Sequence, residues 1–216
     1  DVKEFLNSIL ELNLIPKKLE VSYDITLEKP LLDDNMFSKI AYYMNCNTES
    51  NSLFIPDAGN HYLDILYWCY PKERLGIFTN AGLASMGHAI GAAIGFKIAN
   101  PEKNVICVTG DGSFMMSGME ISESAKQKID ITYIVSNNSS LGRARLYQEM
   151  TDNKIISTTY EDINISEIAK SLEIISKRVD NISDFEKVFS EFKEIKGTKL
   201  IEVLIEKNDC PKLLRR

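Results

Sequence analysis

Cysteine is sparse and scattered. Cys46, Cys69, Cys107 and Cys210 lie far apart, and no CxxC occurs. That argues against a disulfide framework and for a reduced, cytoplasmic chain. An excess of positive charge is also missing: the net charge is −6, which speaks against nucleic acid as the main partner. No apolar run is long enough to cross a bilayer. The longest glycine- and alanine-rich stretch, residues 81–99, is interrupted by His88 and Lys97. GxxxxGK[ST] and HExxH are absent, so neither a P-loop nor a zincin-type metal helix is present. No repeat and no low-complexity tract is found. The 216 residues, 44% hydrophobic and 26% charged, suit a globular chain of one domain with extensions, or two small ones. The chain starts at Asp1 rather than methionine, so we expect it to belong to a longer protein.

The most informative stretch is 104–142. Residues 105–108 form an apolar, β-rich run that reads as a buried strand, and it empties into Gly110-Asp111-Gly112-Ser113. A helical stretch follows, then a second apolar run at 131–135 that ends in Asn137-Asn138. This is a βαβ unit, and in a parallel sheet the carboxyl tips of neighbouring strands lie side by side. Asp111 and Asn138 are therefore expected to converge. Glycines at 110 and 112 leave room for a ligand near the backbone, and the amides that open the next helix, with Ser113, favour an anion. Asp111 and Asn138 offer hard oxygens that suit Mg²⁺ shared with a phosphate. GDG alone also reads as an ordinary turn; paired with NN it points to a metal diphosphate. A dinucleotide fingerprint needs a third glycine, where this chain has Met115.

GDG followed by NN at this span resembles the signature of thiamine-diphosphate enzymes. The wording is similar to the diphosphate-binding domain of acetolactate synthases and 2-oxo-acid decarboxylases, from about Pro30 to Glu206. The resemblance implies a doubly wound, mostly parallel α/β sheet with helices on both faces. It places that domain at 30–216, and residues 1–29 as the tail of a preceding domain with its linker. Thiamine diphosphate and Mg²⁺ are the implied cofactors. Asp111 and Asn138, with the backbone carbonyl of Ser140, are the implied metal ligands, and Gly110, Gly112 and Ser113 the phosphate cradle.

Other segments extend the match. Asp57-Ala58-Gly59-Asn60-His61 is similar to a family run that touches the diphosphate, which makes Gly59, Asn60 and His61 candidates; a turn with an N-cap is the plain alternative. Residues 77–87 resemble the GxGxMG segment. There Met86 would prop the cofactor into its bent shape, and the carbonyl of Ala84, a glycine in the family, would accept from the aminopyrimidine. Met86 as ordinary core packing remains open. Gly87, Gly91 and Gly95 recur every four residues and predict a small face for close packing.

After the metal loop, Arg143 and Arg145 stand where the family has apolar residues, while Tyr147 keeps an aromatic position. Two arginines could hold an anionic substrate group or form a solvated or interface face. Residues two apart on a helix diverge by about 200°, so at most one faces the cofactor, and Arg143 is expected to be that one. A cap at 33–35 predicts a helix over 36–44, and short strands are expected at 53–56, 174–179 and 199–205. Helical patterns occupy 3–13, 166–173 and 183–195, and 150–163 reads as a mobile segment.

In the family, a glutamate on a separate pyrimidine-binding domain activates the cofactor. The resemblance thus implies that this domain, on the same full-length chain or another subunit, completes the site in a homodimer or larger assembly acting on a 2-oxo acid. The alternatives are a β subunit of a two-chain sulfopyruvate- or phosphonopyruvate-type decarboxylase, and a non-catalytic diphosphate-binding or assembly module.

Overall fold

The computed structural model describes residues 28–70, 76–151 and 154–211, together with Glu4 and Leu214. Apart from Glu4, the expected helix at 3–13 and the linker after it lie outside the described residues. Five strands form one parallel sheet: β1 (Ser52–Pro56), β2 (Asn104–Gly110), β3 (Ile131–Asn137), β4 (Ile175–Val179) and β5 (Lys199–Leu204), ordered β1-β2-β3-β5-β4. β2 and β3 are buried along nearly their whole length, which is why their sequences are continuous apolar runs rather than alternating ones.

Successive strand residues feed two separate cores, so the sheet is doubly wound. On one face Phe54, Ile106, Val108, Ile134 and Ile201 pack under α1 (Met36–Asn47), α2 (Asn60–Trp68) and α8 (Ile182–Lys193). On the other, Ile55, Cys107, Tyr133, Val135 and Leu200 pack under α3 (His88–Ala99), α4 (Asp111–Ser117), α5 (Ile121–Lys126) and α7 (Ile165–Ser171). α8 buries Phe185, Val188, Phe189 and Phe192, the 3-1-3 spacing of one helical stripe. Asn35 caps α1 by accepting from the Ser38 amide. A 3₁₀ turn, Gly118–Glu120, separates α4 from α5. The remaining helix, α6 (Gly142–Thr151), buries no residue and lies outside both cores. Among the described residues no helix is long and apolar enough to cross a membrane, and no disulfide is formed.

One expectation is corrected. The glycine row does not pack as one face: Gly87 meets Ser117 on α4, whereas Gly91 and Gly95 are exposed with open space beside them and α3 buries Ala89, Ile90 and Ala93 instead. Within the segment 150–163, residues 158–160 pair with the domain. Residues 158–160 run antiparallel to the loop after β3: the Thr158 carbonyl accepts from Ser140 Oγ (2.7 Å) and Leu141 N (2.8 Å), and Tyr160 N donates to the Ser139 carbonyl (3.1 Å).

Candidate active site

The chain crosses β1, β2 and β3 in order, jumps to β4, and returns to β5, so the carboxyl ends of all five strands share one edge. A cleft of about 630 Å³ opens there. The tips of β2 and β3 meet across it. Asp111, at the start of α4, accepts from Gly112 N (2.8 Å) and, across the strand gap, from Ser140 N (3.3 Å). Burial raises its carboxyl above the ordinary range. Tyr160 stands beside it, its phenol pushed well up by burial and by the Asp111 charge. Ser113 is buried, its hydroxyl directed at the Ala58 carbonyl (3.5 Å).

The two asparagines divide their tasks. Asn137 is buried in the protein: Nδ2 donates to Glu202 Oε1 (2.7 Å) and the Ile163 carbonyl (3.0 Å), and Oδ1 accepts from Ser139 N (3.1 Å). Asn138 lines the cleft. Gly142, to which sequence analysis assigned no role, makes the space for it. A Cβ at 142 would stand 2.7 Å from Asn138 Nδ2 and 3.2 Å from Asn60 Nδ2. Gly112 is equally confined, since its Cβ would meet Leu141 Cδ2 at 2.7 Å and Met86 Cε at 3.2 Å. Met86 therefore stands directly over the GDG turn, and with Ala84 it lines the same cleft. Ala84 has φ 47°, a left-handed backbone that explains why glycine suits this position.

Asp57 was overlooked as a site residue. It directly follows β1, is 0% exposed, and accepts from Gly87 N (3.0 Å), Ala89 N (3.4 Å), Ala58 N (2.8 Å) and Thr109 Oγ1 (3.3 Å). His88 Nδ1 lies 3.3 Å away. The carboxylate thus ties the β1 tip to the start of α3 and sets the height of Met86 one residue earlier. An acidic residue at a strand tip was the available signal; its donors come from 30 residues downstream.

His61, on the first turn of α2, is wedged against Gly59 and Gly110: a Cβ would stand 2.5 Å from its ring at 59 and 3.0 Å from it at 110. Its Nε2 and the Oδ1 of Asn60 are buried without partners among the described residues. Burial pushes the imidazole down to about 4 from the ordinary 6.5. The unfolded chain takes up this proton before the folded chain does, so stability is full above about pH 6.5 and falls as pH drops toward 4. Asp57 and Asp111 are shifted up, and their contribution runs in the opposite sense. The difference between wild type and His61→Gln isolates the histidine. Over that interval the wild type should lose about 3 kcal/mol relative to the variant in urea unfolding. A difference constant with pH would mean that His61 protonates freely.

On α6 the arginines separate. Arg143 lines the cleft, with Tyr147 at its rim. Arg145 turns to the chain itself: it donates to the Lys207 carbonyl (2.7 Å), Asn208 Oδ1 (2.6 Å) and Glu149 Oε1 (2.7 Å).

Fold and cleft define the class: a doubly wound α/β domain with a ligand site at the carboxyl edge of a parallel sheet. Residues 57–203 match the model of the thiamine pyrophosphate enzyme C-terminal TPP binding domain, and the chain belongs to that family. It is 32% identical over 167 residues to the acetolactate synthase large subunit of Lactococcus lactis, covering 75% of this chain and 28% of that protein. The large subunit of acetolactate synthase isozyme 1 of Escherichia coli is 30% identical over 73% of this chain and 28% of its own length. For the acetolactate synthase large subunit of Porphyra purpurea the identity is 28%, over 91% and 31%. The chain spans under a third of the length of these relatives.

Proposed function

We propose that this chain is the diphosphate-binding half of a thiamine-diphosphate enzyme that decarboxylates or joins 2-oxo acids in the manner of acetolactate synthase, with Mg²⁺ between protein and cofactor. The observation that carries this reading is the meeting of two strand tips: the Asp111 carboxylate lies 3.3 Å from the Ser140 amide, with Asn138 facing the same cleft. An Mg²⁺ site needs a carboxylate and neutral oxygens and takes the rest from water and phosphate, which is the donor set here. The orphaned His61 Nε2, carrying the ring proton, and the cradle that a Cβ at Gly112 would fill fit a diphosphate beside them.

Asp111, Asn138 and the Ser140 carbonyl would hold the metal. Gly59, Asn60, His61, Gly110, Gly112 and Ser113 would surround the diphosphate. Met86 would set the bend of the cofactor, and Ala84 would accept from its ring. When bound, thiamine diphosphate supplies the carbanion-stabilising chemistry of 2-oxo-acid decarboxylation. Arg143 would pair with an anionic group of the substrate, and Tyr147 would cover it. Exposed apolar side chains near the cleft, Leu83 at 86% and Met116 at 64% among them, suit burial under a pyrimidine-binding domain or partner subunit.

Calorimetry on the full-length protein tests the reading. Mg²⁺ should tighten thiamine diphosphate by at least about tenfold, and the cofactor should tighten Mg²⁺ by the same factor, because coupling is reciprocal. Cofactor affinity indifferent to Mg²⁺ would overturn it. The 216-residue chain alone should turn over no pyruvate even with both present, since the activating glutamate is assigned to another domain.

A further inference from the structure

Glu202 interrupts the apolar run of β5, yet it is 0% exposed. A carboxylate inside a sheet is costly unless donors surround it. Oε1 accepts from Asn137 Nδ2 (2.7 Å), Oε2 from Ser166 N (2.8 Å) in the first turn of α7, and Arg178 Nε on β4 lies 3.4 Å away. Asn137 passes this anchorage on. Its Oδ1 accepts from Ser139 N (3.1 Å), and its carbonyl accepts from Ile205 N just past β5 (2.8 Å). Ser139, held between Asn138 and Ser140, has φ 50°, a left-handed conformation that a non-glycine residue keeps only when its surroundings impose it.

We propose that Glu202 is a positioning residue for the metal loop: through Asn137 it fixes the backbone at 138–140 that presents Asn138 and the Ser140 carbonyl. The inference rests on the reading of those two residues as Mg²⁺ ligands. Charge alone does not account for the arrangement, because Arg178 already pairs with Asp162 (2.6 Å) at the surface. What only a carboxylate supplies is two acceptor oxygens, one for the loop and one for α7. Glutamine offers a single oxygen, so its amide nitrogen would face either Asn137 Nδ2 or Ser166 N, donor against donor.

In the full-length protein, with thiamine diphosphate saturating, Glu202→Gln should weaken Mg²⁺ about tenfold or more by calorimetry, as the loss of groups that orient metal ligands does elsewhere. In the protein without cofactor, hydrogen exchange at the Ser139 and Ser140 amides should quicken while rates in β1 and α3 hold. Val203→Ala supplies the control. Its side chain is buried in the opposite core, so it should lower Tm without changing Mg²⁺ affinity or loop exchange. Asn137→Ala cuts the link on the loop side, leaves Glu202 with Ser166 and Arg178, and should reproduce the weakened Mg²⁺ binding. If Glu202→Gln behaves like Val203→Ala, or Asn137→Ala binds Mg²⁺ normally, the positioning role is wrong. A wild type without Mg²⁺-linked cofactor binding would remove the underlying reading and this inference with it.

Discussion

Asp111→Ala is expected to keep the fold and to weaken Mg²⁺-dependent binding of thiamine diphosphate by about a hundredfold or more, equal to roughly 2.8 kcal/mol. The two effects separate because the protein meets this carboxylate with fewer close donors than it gives Asp57. It takes one bond from its neighbour Gly112 and a longer one from Ser140, and burial raises its carboxyl. Removing the charge removes its desolvation cost and strands two amides, and the two terms oppose each other, so Tm should change little. The cofactor side has no substitute, since Asp111 is the carboxylate among the assigned metal ligands. Calorimetric titration paired with thermal unfolding checks both halves. Unchanged cofactor affinity would remove Asp111 from the metal, and a large fall in Tm would make it a structural residue instead.

Convergence of Asp111 on the loop after Asn138 could be read from the sequence because a parallel sheet leaves little freedom. Two apolar runs joined by a helical stretch bring their carboxyl tips to one edge, whatever the residues between them. The same holds for α8, whose Phe185, Val188, Phe189 and Phe192 announce one buried stripe. What stayed hidden depends on partners distant in sequence. Glu202 is only a polar break in an apolar run when the sequence stands alone; its donors come from β3, β4 and α7. Residues 158–160 looked like loop because their pairing is with three residues after Asn138, a bridge too short to leave a periodicity. The glycine row at 87, 91 and 95 has a true helical period, but period does not say which side faces the sheet. Ala89, Ile90 and Ala93 offer more apolar area to the core, and they occupy it.

Asp57 is the converse of Asp111, and its removal should act on stability. Both are buried carboxylates at neighbouring strand tips, with carboxyls raised by burial. Asp57, however, is met by Gly87 N twice (3.0 Å to each oxygen), Ala89 N, Ala58 N and Thr109 Oγ1. Asp57→Ala leaves the amides at the start of α3 and the Thr109 hydroxyl facing an apolar methyl. Stranding buried donors costs ~1–3 kcal/mol each, partly offset by losing the desolvation of the charge. A net loss of about 3 kcal/mol follows, and for a chain of this size that is a fall in Tm of roughly 6–12 °C. Asp57→Asn keeps one acceptor oxygen and should lose about half as much. Since Met86 precedes Gly87, Asp57→Ala should also loosen the cofactor, but less than Asp111→Ala does. Thermal unfolding of the two alanine variants in parallel decides the matter. If Asp57→Ala is as stable as the wild type, the junction of β1 and α3 is held by packing of Ile55, Ala89 and Ile90 rather than by this carboxylate.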